Sequence, residues 1–298
     1  MNNFDKQYIE LCERILEHGE YTPKERTGTG TYKLFGQTLR FDLSKEFPIL
    51  TSKFVAWKAA VLEILWIYQA QSSDVRWMTE RGVKIWNEWA ADEEGNYKQV
   101  DSSGVQKLLG GRELKLGKEF AHTIGTAYGW IVKKYGLIDN LIKTLKNDPN
   151  DRRMIMSLWQ NEYAPTACLA SCVWNSQWNV TKGKLNLIVN CRSNDVPLGL
   201  PFNITQYAVL AHLIAQVTGY EVGEFLYVIN DAHIYANQVD GIKEQIKVYR
   251  EKGCPKPPKL WINPEIKDFF AFDNSKELKD IRIDDYEYNM KLSFPVSV

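Results

Sequence analysis

Apolar residues return at helical spacing in Phe4, Tyr8, Leu11 and Ile15, and Gly19 follows as a stop signal. This pattern predicts a helix over residues 4–18. Thr27-Gly-Thr-Gly-Thr31 is a turn signal, and strand-like residues follow it to about Leu43. A second helix is expected from near Val55, with Trp57, Val61, Ile64, Leu65 and Tyr68 as its apolar stripe. Glu63 falls beside that stripe, where a carboxylate would be buried. From about Ala91 to Lys118 the chain is charged, Gly-rich and weakly periodic, which reads as an excursion rather than a linker.

The second half is patterned more densely. Leu137 to Lys146 reads as a helix closed by Asn147-Asp148-Pro149-Asn150. Residues 153–159, 171–180 and 184–192 read as strands, and Lys182-Gly183 is a hairpin turn between the last two. Ile204 to Thr218 is the most apolar helix and is expected at the centre. Glu224 to Ile229 reads as a strand, and Ala232 to Arg250 as a long helix. Pro-rich residues 255–258 lead into short terminal strands. Helices and strands mix without regular βαβ alternation, repeats or a dividing linker, so the expected class is α+β in one domain.

Composition narrows the function. With 298 residues, 44% of them hydrophobic, the chain is large enough for a core that needs no staples. Its 37 basic and 37 acidic residues balance, which argues against a general nucleic-acid binder. The cysteines at 12, 168, 172, 191 and 254 are odd in number and form no CxxC pair. Neither a disulfide framework nor a zinc site is expected, and reduced thiols are the better reading. The amino terminus has no signal-type apolar run and no stretch approaches membrane-spanning length, so the expected location is the cytoplasm.

Candidate chemistry concentrates between Cys191 and Tyr207, where a cation, a hydroxyl, a carboxylate and two amides precede an apolar helix. Such density suits a site that holds an anion and reads a flat polar ring. Cys172 opens a strand that the Lys182-Gly183 hairpin pairs with the strand ending at Arg192. A nearby cation would favour its thiolate, although a small buried core residue is the common fate of a free Cys. Arg26, Arg152, Arg153 and Arg192 could hold a phosphate, because the guanidinium fork matches the oxyanion. Arg152 and Arg153 are adjacent and would face apart on a strand, so one solution is that they reach another subunit. His233 and Tyr235 do not share a helical face, but at an irregular entry both could donate to a sugar hydroxyl. Asn203 can read a uracil-type carbonyl and N–H, or simply cap the helix that Pro201 starts.

The order of these pieces resembles the thymidylate synthase family nearly end to end. The matching motifs are Arg26-Thr-Gly-Thr-Gly, Glu63-Ile-Leu-Trp66, Ile85-Trp-Asn-Glu-Trp89, Tyr128-Gly and Asp151-Arg-Arg153. Arg192-Ser-Asn-Asp195, Leu198-Gly-Leu-Pro-Phe-Asn203, Asp231-Ala-His-Ile-Tyr235 and the apolar end at Val298 continue the series. Ala56-Trp57 and Cys172-Val173 resemble the branch found in Bacillus and its phages. The resemblance implies a large mixed β-sheet with helices packed on one face, joined sheet to sheet in a homodimer. It also implies one domain over residues 1–298 with a variable insert near 91–118. The implied reaction is reductive methylation of dUMP to dTMP, with 5,10-methylenetetrahydrofolate as co-substrate and no metal.

On this resemblance, Cys172 attacks the uracil ring with Arg192 beside it, and Glu63 and Tyr128 handle the ring proton. Arg26, Arg192 and Ser193 hold the phosphate, joined by Arg152 and Arg153 of the partner subunit. Asn203 binds the uracil edge, and His233 and Tyr235 the deoxyribose hydroxyl. Trp86, Trp89, Asp195, Gly199 and Val298 contact the folate. Several positions depart from the pattern: Ser171 and Val173 replace Pro and His around the thiol, Cys191 replaces Gln, and Asn230 replaces Gly. Phe54 and Ala56 stand where basic and His residues are common, which would weaken polyglutamate binding. Some of these changes lean toward dUMP hydroxymethylases, which capture the same intermediate with water. Asn203 argues against a dCMP version, while Trp86 and the apolar carboxy terminus argue for the synthase. A catalytically dead nucleotide binder or RNA-binding regulator is the third reading, and the neutral net charge opposes its RNA form.

Overall fold

The computed structural model describes residues 2–23, 28–98 and 113–296; Arg26, Val298 and residues 99–112 of the expected excursion lie outside the described residues. Asn2 opens the first helix, α1 (Asn3–His18), by accepting from the backbone N–H groups of Phe4 and Asp5. β1 (Glu20–Thr22), β2 (Thr31–Asp42), α2 (Trp57–Tyr68) and α3 (Arg76–Glu80) follow. The flanks of the excursion pair as β3 (Asn96–Tyr97) and β4 (Leu114–Lys115). Next come α4 (Gly129–Tyr135), α5 (Leu137–Asn147), β5 (Ile155–Ser157), β6 (Val173–Thr181) and β7 (Lys184–Asp195). The chain then forms α6 (Gly199–Thr218), β8 (Glu221–Tyr235), α7 (Val239–Lys252), β9 (Lys259–Ile262) and β10 (Ile281–Asp284).

Six strands form the main sheet in the order β1-β2-β8-β7-β6-β5. Every neighbouring pair is antiparallel except β7 and β8, which run parallel. A parallel pair needs a long return path, and α6 supplies it. The sheet is therefore mixed, as the resemblance implied. α6 packs on β7, β8 and α2, while α1 packs on β2 and β8. Leu39, Phe41, Leu187, Val189, Phe225 and Tyr227 are buried beneath these helices. The opposite face leaves Ile155 and Ile188 exposed.

Three expectations change. β8 does not stop at Ile229 but runs to Tyr235, and the helix expected from Ala232 begins only at Val239. Ala232 and Ile234 are buried and pair with Leu34 and Tyr32 of β2, so sheet pairing overrides local helix preference. The strand expected over 153–159 covers only Ile155–Ser157, which leaves Arg152 and Arg153 in a turn rather than on alternate strand faces. α6 begins at Gly199, so Asn203 is inside the helix and is not its cap.

Candidate active site

Parallel pairing sets Ser193 opposite Asp231, Asn194 opposite Ala232 and Asp195 opposite His233. The carboxyl ends of β7 and β8 thus form one edge, although 40 residues of chain separate them. On a strand, positions two apart share a face. His233 and Tyr235 therefore do point the same way, with ring centroids 5.1 Å apart in an edge-on contact. This reverses the expectation drawn from a helix. Asp231 Oδ1 lies 2.8 Å from His233 Nδ1. A carboxylate oxygen accepts, so this contact is made by the Nδ1–H of His233, and Nε2 is left for a ligand.

A cavity of about 370 Å³ opens at this edge. Glu63, Trp86, Trp89, Cys172, Arg192, Ser193, Asp195, Gly199, Asn203, His233 and Tyr235 all line it. Tyr128 lies just behind the wall, where its hydroxyl accepts from the Cys172 backbone N–H at 3.0 Å. Tyr128 has a φ of +44°, a strained value for a non-glycine residue. Close packing holds it there: a Cβ on the next residue, Gly129, would sit 2.1 Å from the Ser72 carbonyl oxygen. Arg152 and Arg153 are not in the cavity. Both are exposed, and Arg153 Nε donates to Asp151 at 2.8 Å. Arg152 borders a separate recess on the open sheet face.

Cys172 precedes β6, and its carbonyl oxygen accepts from the Arg192 backbone N–H at 2.8 Å. The guanidinium is pinned beside the thiol: Nε donates to Ser171 O at 3.0 Å, Nη2 to Ala170 O at 2.7 Å, and Nη2 lies 3.8 Å from Cys172 Sγ. Among the described residues nothing takes the Nη1 donors. A permanent cation at this range favours a thiolate. At the other deeply buried thiols burial outweighs any cation: Lys53 lowers Cys12 and Arg192 lowers Cys191 only in part. Burial pushes Cys12, Cys168 and Cys191 up to about 12.

Glu63 is buried in α2, whose apolar residues are covered on all sides rather than along one stripe. Its Oε1 accepts from the Trp86 indole at 2.8 Å and its Oε2 from Gln206 Nε2 at 2.6 Å. Burial raises the carboxyl to about 7 against the pull of these two hydrogen bonds. Trp86 is itself wedged against Tyr128 and Trp89, at 5.4 and 5.7 Å between centroids. Asn203 Oδ1 accepts from Asn194 Nδ2 at 3.0 Å and Tyr227 Oη at 3.2 Å, while its Nδ2 donates to Gln206 Oε1 at 3.2 Å. Asp195 is held by Leu198 N and Gln238 Nε2, each at 3.0 Å, and burial raises its carboxyl. Gly199 lets the helix start close on this cluster, since a Cβ there would lie 3.2 Å from Asn194 Nδ2.

Gln206, Tyr227 and Gln238 are partners that sequence reasoning missed. Gln206 carried one usable signal, a polar side chain in the most apolar helix; the other two carried none. Gln238 Nε2 also reaches Pro295 O at 3.4 Å, so the last described residues border the cavity, with Val296 in its wall. Among the described residues no three His, Cys, Asp or Glu side chains cluster to hold a metal ion. Among them also, no helix is long and apolar enough to cross a membrane.

Fold and geometry together define an α+β protein with a thiol–guanidinium pair and a buried carboxylate at the carboxyl ends of a parallel strand pair. Comparison with known proteins names the group. The family model described as thymidylate synthase matches residues 6–298. A thymidylate synthase of Clostridium beijerinckii is 47% identical over 298 residues, covering all of both chains. That of Bacillus phage phi3T is 38% identical over 316 aligned positions, again covering both chains completely. The solved structure of thermostable thymidylate synthase A from Bacillus subtilis superposes with a TM-score of 0.81 at 37% identity, covering 99% of each chain. The chain belongs to the thymidylate synthase family.

Proposed function

We propose that this chain converts dUMP to dTMP, with 5,10-methylenetetrahydrofolate as co-substrate. The observation that carries this reading is the meeting of Cys172, Arg192, Asn203 and Glu63 around one cavity. In this reading the Cys172 thiolate adds to C6 of the uracil ring. The electron pair of the C5–C6 double bond then moves to C5, which free uracil does not offer as a nucleophile. Arg192 favours the thiolate and turns its Nη1 donors to the phosphate, together with Ser193 and Arg26. Asn203 binds the ring edge, and His233 with Tyr235 binds the deoxyribose hydroxyl. Glu63 accepts the C5 proton, a task that suits a carboxyl lifted to about 7, and Tyr128 belongs to the same relay. Cys172 finally leaves C6 and the ring double bond is restored.

A reduced folate needs flat apolar walls and a polar anchor. Trp86, Trp89, Leu198, Phe202 and Val296 offer the first, and Asp195 the second, so the residues present fit it. When bound, the folate supplies both the one-carbon unit and the hydride. Gly199 and the end at Val298 complete the contact, and the closed walls keep water from the reacting carbon. The open sheet face, with Ile155 and Ile188 exposed, is read as the contact of a homodimer. Arg152 and Arg153 at its edge then serve the partner's phosphate site. Mixing Cys172→Ala subunits with Arg152→Ala/Arg153→Ala subunits should restore activity; persistent inactivity would count against shared sites. The protein is read as one domain working in the cytoplasm, without need of nucleic acid, membrane or metal.

Incubation with dUMP and methylenetetrahydrofolate, followed by identification of both products, tests the reading. dTMP with dihydrofolate is the expected pair. 5-Hydroxymethyl-dUMP with tetrahydrofolate would instead identify a hydroxymethylase, which neither the apolar walls nor the names of the relatives favour.

A further inference from the structure

Gln206 lies one turn beyond Asn203 in α6, almost fully buried, with its amide between two site residues. Its Oε1 accepts from Asn203 Nδ2 at 3.2 Å and its Nε2 donates to Glu63 Oε2 at 2.6 Å. We propose that Gln206 is a positioning residue: it fixes the polarity of the Asn203 amide, so that the cavity offers a donor to the ring and takes uracil in preference to cytosine. This inference rests on the reading of the cavity as a pyrimidine nucleotide site.

The direction of the relay follows from the groups at its ends. The Trp86 indole can only donate, and it points at Glu63 Oε1. Glu63 in its ionised form, the form above about pH 7, can only accept, so Gln206 turns its amino group toward Oε2. Its oxygen then faces Asn203, which must answer with Nδ2. Asn203 Oδ1 already accepts from Asn194 Nδ2 and Tyr227 Oη, which uses both lone pairs. What remains for a ligand is the second N–H of Nδ2. A ring carbonyl can accept it, and a ring amino group cannot. Turning the amide over would set Oδ1 against Gln206 Oε1 and Nδ2 against Asn194 Nδ2. Asn194 could turn with it, since its own buried Oδ1 has no partner among the described residues. Gln206 Oε1, however, is held in place through Glu63 and would lose its donor, so the reversed state is disfavoured by Gln206.

The groups around Glu63 come from several elements. Trp86 follows α3, Gln206 belongs to α6, and Tyr128 precedes α4 and feels the Glu63 charge. Cys172 and Arg192 share the cavity. Of these, Gln206 and Trp86 hold the Glu63 carboxyl down by hydrogen bonding. Loss of Gln206 should therefore move the acid limb of the turnover–pH profile upward.

Gln206→Met keeps the length of the side chain and removes both hydrogen bonds. Calorimetric titration of the full chain with dUMP and with dCMP, without folate, should show the dUMP:dCMP affinity ratio falling about tenfold. The acid limb of dTMP formation should also move to higher pH. Tyr227→Phe frees one lone pair of Asn203 but leaves Glu63 untouched; its ratio should fall while its acid limb stays. Thermal unfolding of each variant establishes that it is folded, and Tyr227→Phe decides the polarity argument if Gln206→Met does not fold. An unchanged ratio in the folded variants overturns the proposal, and so does a fallen ratio with an unmoved limb in Gln206→Met. A wild-type protein that binds both nucleotides equally also overturns it. Should the wild type discriminate yet form no dTMP, the reading of the reaction fails, and the ratios alone still decide the role of Gln206.

Discussion

Two carboxylates are buried on either side of the segment that joins α1 to α2, and their surroundings differ. Asp5, fully buried, accepts from Thr51 N and Thr51 Oγ1, each at 2.8 Å, and from Ser52 N at 2.9 Å. Two of these donors are backbone groups of adjacent residues. Glu63 has two donors, both side chains from distant elements, and it borders the cavity. Burial raises both carboxyls. A carboxylate saturated by two adjacent backbone N–H groups and a hydroxyl acts as a clamp, whereas one short of donors and open to a cavity keeps acceptor capacity for chemistry. The two are linked, because the segment that Asp5 clamps continues to Lys53, whose Nζ donates to Pro197 O at 2.5 Å beside the cavity.

The sharpest break in this comparison is Glu63→Gln. Turnover should fall by about 10²–10⁴-fold, the usual worth of a positioned acid or base, and a single-turnover assay of dTMP checks it. Asp5→Ala should do the opposite. It strands two buried backbone donors, Thr51 N and Ser52 N, while the Thr51 hydroxyl keeps Pro255 O at 2.8 Å. It should cost about 2–3 kcal/mol in a urea titration, while turnover per folded molecule stays near wild type.

Proton linkage separates the two sites further. The folded-state value of Glu63, about 7, lies above the ordinary 4.5. Its charge therefore destabilises the fold: the penalty is absent below about pH 4, grows as pH rises, and is complete above the folded value. The stability of Glu63→Gln relative to wild type should rise by about 3 kcal/mol from pH 4 to pH 8. A flat difference across that range would show that the buried carboxyl titrates normally. The smallest effect is expected for Thr51→Val, which removes one hydroxyl from Asp5 and should cost about 1 kcal/mol with no change in the turnover–pH profile.

Much of this site was legible in the chain. Cys172, Arg192, Asn203 and Glu63 are marked by residue type, by local density or by a place beside an apolar stripe, and the cavity holds them all. Elements bounded by strong local signals also emerge as expected. The helix after Asn2, the Lys182-Gly183 hairpin and the central helix ending at Thr218 all form. What misled was the stretch from Asp231 to Tyr235, whose local pattern continues smoothly into the helix that follows. Its strand state comes from partners in β2 and β7, nearly 200 and 40 residues away in sequence. Gln206 and Tyr227 stayed hidden for a related reason. Glu63 and Gln206 are 143 residues apart, and Asn203 and Tyr227 are 24 apart. No local spacing encodes either meeting.

The sequence by itself determined the chemical inventory, the ends of the helices with clear caps, and the family, because side-chain type, periodicity and ordered motifs are local properties. Only the tertiary structure decided which face His233 and Tyr235 share and how the relay from Trp86 through Glu63 and Gln206 to Asn203 is directed. It alone decided also that one buried carboxylate became a clamp and the other stayed available. Those outcomes depend on which hydrogen-bond donors arrive from elsewhere in the chain, and that is a matter of packing.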